Sequence, residues 1–369
     1  MPHAGHLERF PSKYLQKKRA FSRRLHYNFP GPIQVISEEG IVLSKRKSAV
    51  VVCTLLASAG IASAAPLYTE NFDVNNSANW TFRSSIATDT SPNNNVGNEA
   101  NFFFDYSTAG IPSAPNSIGG TTRGLKMEAN IPGTGVFSGL SVFPNGQSFS
   151  GDFTVEFDAW QNYTTNGNGS TQMTNSGWGA SGTTTQFAGG AINSVQFAAS
   201  SDGGTNPDYR AYVGTSTVSS DTSGVYAAGN TAGVTNNTHS YYTTSFGGQP
   251  VPPSQTALYA QQTGTVPAGT QGLAWHRWLV EKSGNTVSWT IDGKRIATTD
   301  ITGKTLGGTN IYFGQADINS GSSTDANGRA LIFGLVDNVV VNQVPEPGAL
   351  SLIAVAALPL MRRRRSKKI

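Results

Sequence analysis

Between Ala65 and Asn342 the apolar residues fall in short β-branched and aromatic runs, each bounded by Gly, Asn, Ser or Thr. Runs of this kind predict strands of an antiparallel architecture, and no stretch carries the period of a long helix. Phe153 to Trp160 alternates most cleanly. Phe153, Val155, Phe157 and Ala159 fall on one side, expected to be core, and Thr154, Glu156, Asp158 and Trp160 on the other, expected to face solvent. Trp275 to Ile296 predicts two strands joined at Ser283-Gly284-Asn285, then a second turn at Asp292-Gly293, where positive φ is tolerated. Ala330 to Gly334 and Val336 to Val341 predict further strands, and Asn71 to Asp73 one near the start of the body. Pairing of these terminal strands would close the domain. Tyr163 to Gly272 is so rich in Gly, Ser, Thr and Asn that the pattern does not place its hairpins.

Both ends break this pattern. Lys45, Arg46 and Lys47 precede an apolar run from Ala49 to Ile61, and Ala62-Ser63-Ala64 supplies the small residues that signal peptidase requires. The run is about 13 residues, against the ~20 needed to span hydrocarbon, so it reads as a signal peptide cleaved after Ala64. Residues 1–44 are basic and unpatterned, and the next methionine is Met127. Two readings stay open for them, an extended export leader or a translation start near Val42 or Leu43.

At the other end Val344-Pro345-Glu346-Pro347 is followed by an uncharged segment, 348–361, and then a basic tail, 362–369, that begins with Arg362, Arg363, Arg364 and Arg365. The prolines keep the chain extended and remove backbone donors, which suits a segment threaded into an enzyme cleft. At ~1.5 Å per residue the apolar segment reaches ~21 Å, short of a ~30 Å hydrocarbon core, so it predicts a short transmembrane helix serving as a temporary anchor. The Arg cluster would hold its end on the cytoplasmic side. This ending resembles the PEP-CTERM sorting signal of Gram-negative and related bacteria. The resemblance covers Val344 to Ile369 and implies recognition and cutting by an exosortase at or near Pro-Glu-Pro.

The overall charge of +4 changes meaning once it is located. The body from 65 to 343 carries 10 Lys and Arg against 18 Asp and Glu, a net charge of −8. The positive charge belongs to the two ends, and no basic footprint for nucleic acid exists in the body. The only cysteine, Cys53, lies in the apolar export run, so the body has no disulfide and relies on packing and β pairing.

Glu70 to Asp73 (ENFD), the W-x-x-W-x-V-x-K segment from Trp275, the V-x-W-x-I-D-G hairpin from Val287 and the closing Asp337 to Val341 (DNVVV) together resemble the concanavalin A-like, laminin-G-like family. The resemblance implies an all-β chain, a jelly-roll β-sandwich over 65–342, preceded by leader (1–44) and signal peptide (45–64) and followed by the sorting signal (343–369). Asn101 to Tyr106 with Gly110 to Pro112, and Thr121 to Lys126, look like segments of exported PEP-CTERM proteins with a similar body. Relatives of the fold that are glycosidases use an E-x-D-x-x-E strand with two carboxylates ~5.5 Å apart. Glu156 and Asp158 take the first two places, but Gln161 stands at the third, so the acid/base is missing and the chain is expected not to be an enzyme.

Other chemistry is sparse. The body's two histidines, His239 and His276, lie near no G-x-S-x-G elbow. Sugar binding would use exposed aromatic rings with carboxylate and amide partners, for which Trp160, Glu156, Asp158 and Trp178 are candidates, with Tyr241 and Tyr242 as further rings. Trp275, Trp278 and Trp289 are expected in the core. No cofactor is expected; calcium is the one ion with a candidate loop, through Asp317, Asn319 and Asp325. Three readings follow. The first is a non-catalytic exported surface or extracellular-matrix protein, handled by the Sec machinery, signal peptidase and exosortase, held transiently in the membrane and then placed at the cell surface or outside. The second is a glycan-binding, lectin-like module for extracellular polysaccharide with the same routing, and the third a polysaccharide hydrolase.

Overall fold

The computed structural model describes residues 65–345 apart from 95, 132–136, 167–170, 191, 215–224, 320–322 and 324. The chain divides into two units, Met1–Ala62 and Ser63–Ile369, and every described residue belongs to the second. The leader 1–44, the signal peptide with Ala62 and Ala64, Glu346 and Pro347, the segment 348–361 and Arg362 to Arg365 therefore lie outside the described residues. Among those described, no helix is long and apolar enough to cross a membrane.

The strands in chain order are β1 (Tyr68–Glu70), β2 (Trp80–Ser84), β3 (Glu99–Asp105), β4 (Arg123–Glu128), β5 (Ser138–Pro144), β6 (Phe153–Asn162) and β7 (Gln172–Ala180). They continue as β8 (Ser194–Ser200), β9 (Tyr209–Gly214), β10 (Trp275–Ser283), β11 (Thr286–Ile291), β12 (Lys294–Asp300), β13 (Asn310–Asp317) and β14 (Phe333–Gln343). The first sheet has the order β12-β11-β10-β6-β14-β4-β3, with β1 also on β14, and the second β2-β5-β13-β7-β8-β9. All these pairings are antiparallel, so the body is an all-β sandwich of two antiparallel sheets.

The alternation of β6 has the physical consequence expected of it on one side. Phe153, Val155, Phe157 and Ala159 all lie in the main core between the sheets. Phe157 meets Phe313 of the second sheet edge-on at 4.9 Å and Trp278 at 5.6 Å, so this ring bridges both layers. The hairpin of β10 and β11 closes with Ser283 opposite Thr286 around Gly284 at φ 53°. The next turn places Asp292 and Gly293 at φ 49° and 76°, the positive values a tight turn between twisted strands requires.

Three details differ from the pattern. The first strand is Tyr68–Glu70, and Phe72 follows at φ 54°, so Asn71 to Asp73 forms a turn that drops the Phe72 ring into the core. Residues 328–331 form a helical turn, and the closing strand is one continuous element, Phe333–Gln343, rather than two. The region 163–272 is not a simple insertion: it contributes β7, β8 and β9 to the second sheet and the two helical turns Ser240–Thr243 and Pro253–Leu258. The terminal strands do pair, Tyr68 opposite Val341.

Replacing Phe157 by Ala should lower unfolding free energy by about 3–5 kcal/mol, through lost burial and a cavity between the sheets. Urea unfolding of the body checks this; a loss under about 1 kcal/mol would contradict the bridging role.

Candidate functional site

The outer side of β6 carries Glu156, Asp158 and Trp160, and strand register sets their neighbours. Arg277 of β10 and Asp337 of β14 lie on either side of Asp158. Leu279 and Val340 flank Glu156, while Trp275 and Leu335 flank Trp160. The expectation that this side faces solvent holds for Glu156 alone among the three. Asp158 is 1 % exposed and Trp160 2 %, because a second layer covers that half of the sheet. The cover is built from residues 106–121 and 250–273, whose Tyr106, Ile111, Val251, Val266 and Leu273 pack with Trp160, Phe333 and Leu335 into a separate apolar cluster. Gln255 pins it, donating to Ala109 O and Asn162 Oδ1, the latter also accepting from the Trp160 indole.

At the boundary between covered and open halves sits a polar cluster. Asp158 accepts from Asn116 N (3.2 Å) and Nδ2 (2.7 Å), Asn338 Nδ2 (3.0 Å) and Arg277 Nη1 (3.2 Å). The same guanidinium lies 3.5 Å from Glu156 and donates to Asn338 O. Asp337, also 1 % exposed, accepts from the Tyr106 hydroxyl (3.1 Å), the Ser117 hydroxyl (3.0 Å) and Asn338 N (2.7 Å). Burial pushes its carboxyl up to about 7, with the nearby charge of Asp158 adding to the rise and the hydrogen bonds opposing it. Burial likewise pushes the Tyr106 hydroxyl up to about 12.

A β-bulge makes this cluster. Pairing of β14 with β6 shifts between Asp337 and Val340, and Asn338 sits at φ 52°, a conformation Asn tolerates. The extra residue lets Asp337 and Asn338 both reach the outer side before Val339 returns to the core. Sequence reasoning placed Asp337 and Asn338 in a closing strand and missed their role. The signal was there: two adjacent polar residues inside an otherwise alternating apolar run mark a break in the period.

The open half of the face, toward the sheet's lower rows, presents Glu156, Leu279, Glu281, Arg277 and Arg295, all partly exposed. Arg295 pairs with Glu281 at 3.4 Å, as Arg277 does with Glu156. Charged donors and acceptors thus stand beside the apolar Leu279 on a rigid sheet.

Other sequence candidates fall elsewhere. Trp160 is buried as described, and Trp178, 5 % exposed, donates its indole N–H to the Phe149 and Thr309 carbonyls. Neither offers a ring face to a ligand, which corrects the expectation of stacking platforms; the cause is the covering layer for Trp160 and the core for Trp178. Tyr242 is buried against Tyr209 at 4.0 Å, and Tyr241 is half-buried with Lys294 over its ring. Trp278 and Trp289 are core, whereas Trp275 is half-buried on the outer side. His239 accepts from Tyr241 N to cap a helical turn, and His276 pairs with Asp292 at 2.6 Å.

The candidate calcium residues are engaged with protein donors. Asp317 accepts from Asn130 Nδ2 and Asn319 N, Asn319 donates to the Thr171 hydroxyl, and Asp325 accepts from the Thr164 hydroxyl and Asn327 N. Among the described residues no three His, Cys, Asp or Glu come together as metal ligands would, and residues 320–322 and 324 of the candidate loop lie outside the described residues. Of the sorting motif, Val344 and Pro345 are described, and Val344 N donates to Asp152 O at 2.9 Å.

Solved structures similar to this all-β sandwich are jelly-roll-like. The chain is similar to a glycoside hydrolase family 16 endo-glucanase from Bacteroides ovatus, at 15% identity and TM-score 0.36 over 74% of this chain and 99% of that one. It is also similar to the Bacillus licheniformis beta-glucanase, at 9% identity and TM-score 0.35 over 77% and 100%. A third is a Bacillus subtilis protein of unknown function with a galectin-like fold, at 11% identity and TM-score 0.34 over 76% and 97%. No family model matches the chain, and no curated protein does. The likeness concerns the fold. The solved structures to which the chain is similar include glucanases, so the expectation that it is not an enzyme is withdrawn.

Asp158→Ala should destabilise the body by about 1–3 kcal/mol, since it removes the buried acceptor shared by Asn116, Asn338 and Arg277 while leaving Arg277 its contact with Glu156. Chemical unfolding of the variant measures the loss, and a change under about 1 kcal/mol would show that the cluster is not a structural unit.

Proposed function

We propose that this is an exported cell-envelope protein whose sandwich body binds carbohydrate on the open half of the outer face of its first sheet. The single observation that carries the binding reading is the row of partly exposed Glu156, Arg277, Glu281 and Arg295 around Leu279, held by ion pairs on β6, β10 and β12. A sugar presents hydroxyls that both donate and accept, above patches of C–H surface, and carboxylates, guanidinia and an aliphatic side chain on one rigid face complement both. The export reading is supported by the apolar run before Ala62-Ser63-Ala64 and by the Val344-to-Pro347 motif with its apolar and basic tail. It makes the Sec machinery, signal peptidase and an exosortase the routing partners, with transient membrane attachment and a final place at the cell surface or outside.

A second reading, cleavage of such a glycan, has one observation in its favour. Asp337 stands in register with Asp158, two places from Glu156 on the same face, and so brings the third carboxylate that Gln161 does not supply. A carboxyl near 7 can donate a proton at neutral pH.

Affinity electrophoresis through polysaccharides from the producing cell's surface tests binding. Retardation is expected, weakened at least tenfold, or ~1.4 kcal/mol, in a Glu156→Ala, Glu281→Ala variant with unchanged melting. Absence of retardation on every such glycan overturns the binding reading, and release of new reducing ends from a retained polysaccharide, lost in Asp337→Asn, would favour cleavage. For routing, mass spectrometry of the mature protein should find an N-terminus at Ala65 and, in cells with the sorting enzyme, a C-terminus within Val344 to Pro347. A tail left intact in such cells would refute the sorting assignment.

A further inference from the structure

The segment that covers Asp158 and Asp337 is held in two different ways. Its first part, 106–112, is packed and bonded: Tyr106 stacks edge-on with Trp275 at 5.2 Å, the Trp275 indole donates to Pro112 O, and Ser254 and Gln255 donate to Gly110 O and Ala109 O. Its second part, 113–121, is different. Asn116, Ile118, Gly119 and Gly120 are exposed, Ile118 at 85 %, and Gly119 and Gly120 lie at φ 74° and 73°. Residues 115–120 are tied to the sheet by bonds from Asn116 to Asp158 and between Ser117 and Asp337 and Asn338, while the ends of 113–121 meet the Tyr106 hydroxyl, which accepts from Ala114 N and donates to Thr121 O as well as to Asp337. Two buried carboxylates on adjacent strands are therefore the latch of this segment.

Asp158 and Asp337 are directly opposed across the β6–β14 pair, where side chains stand about 4.5–5.5 Å apart at Cβ. Two carboxylates that close, out of water, do not both ionise without a compensating cation. Arg277 is the cation at hand, and it reaches Asp158 and Glu156. No Lys or Arg contacts Asp337 among the described residues. What faces Asp337 is Asp158 from β6, Tyr106 from the turn after β3, and Gly124 of β4 in the next register position, beyond which Arg123 is paired with Asp105.

We propose that residues 113–121 form a proton-operated cover, held on the sheet while Asp337 keeps its proton and released when Asp337 ionises opposite Asp158, baring both beside Glu156 and Arg277. The direction follows from linkage. In the covered state Asp337 keeps its proton up to about pH 7, whereas uncovered and hydrated it would lose it at lower pH, the charge of Asp158 opposite still holding it above the ordinary aspartate value. Between those limits the covered state binds the extra proton, so rising pH favours opening, by up to about tenfold per pH unit, and the effect levels off above about pH 7. The cover overlies the edge of the face assigned to sugar binding, but its operation does not depend on which ligand that face takes.

Hydrogen exchange of the full chain, read by mass spectrometry at several pH values and corrected for intrinsic exchange rates, tests this. Protection of 113–121 should fall by up to about a hundredfold from about pH 5 to about pH 7 and then level, while peptides of β6 and β14 hold theirs. Asp337→Asn, which cannot ionise, should keep the cover closed across the range. Asp158→Asn, which removes the opposing charge, should move the levelling point to lower pH, and it serves if the first variant does not fold. Protection of 113–121 that is independent of pH in the native chain, or an unchanged pH profile in whichever variant folds, overturns the proposal.

Discussion

The pairing of β6 with β14 is the constraint on which the remaining structure depends. It joins residues 153–162 to 333–343 at the centre of the first sheet, and each strand then carries further neighbours, β10 on one side, β4 and β1 on the other. Contacts so distant in sequence are formed only after a long loop has been closed, so they are expected late in folding and must be well compensated by burial. The compensation is the stripe of Phe153, Val155, Phe157, Val336, Val339 and Val341 against the second sheet. With no cysteine in the body, this packing has no covalent reinforcement.

The bulge within that same pair sets the chemistry. A regular β14 would turn Asn338 to the core and carry the alternation past it; the extra residue instead delivers two polar side chains to one side. Beside it, the carboxylates of Asp158 and Asp337, opposed in the regular register before the bulge, are sealed by a layer of loop. The bulge thus adds Asn338 to the cluster, its side chain donating to Asp158 and its carbonyl accepting from Arg277.

Both sheets are covered on their outer sides, and this separates the molecule from a bare two-layer sandwich. On the second sheet every residue of β7 and β13 is buried, since segment 181–193 packs Phe187, Ala188 and Ile192 against Met173, Ala198 and Ala316. On the first sheet the cover is partial, leaving the rows around Leu279 accessible. The region 163–272, poor in long apolar runs, supplies covering segments and connections as well as β7, β8 and β9 of the second sheet.

The amino-acid sequence by itself determined the all-β class, the core stripe of β6 and the β10–β12 hairpins with their turns, because period-two alternation and turn residues act over a few neighbours. It also located the positive charge at the termini and left the body acidic. Only the tertiary structure decided that Trp160 and Asp158 are buried, that Trp178 belongs to the core, and that Asp337 opposes Asp158, since each depends on a segment tens to hundreds of residues away arriving at the same surface. Alternation assigns a residue to a side of a strand. What lies on that side is settled by which other part of the chain packs there.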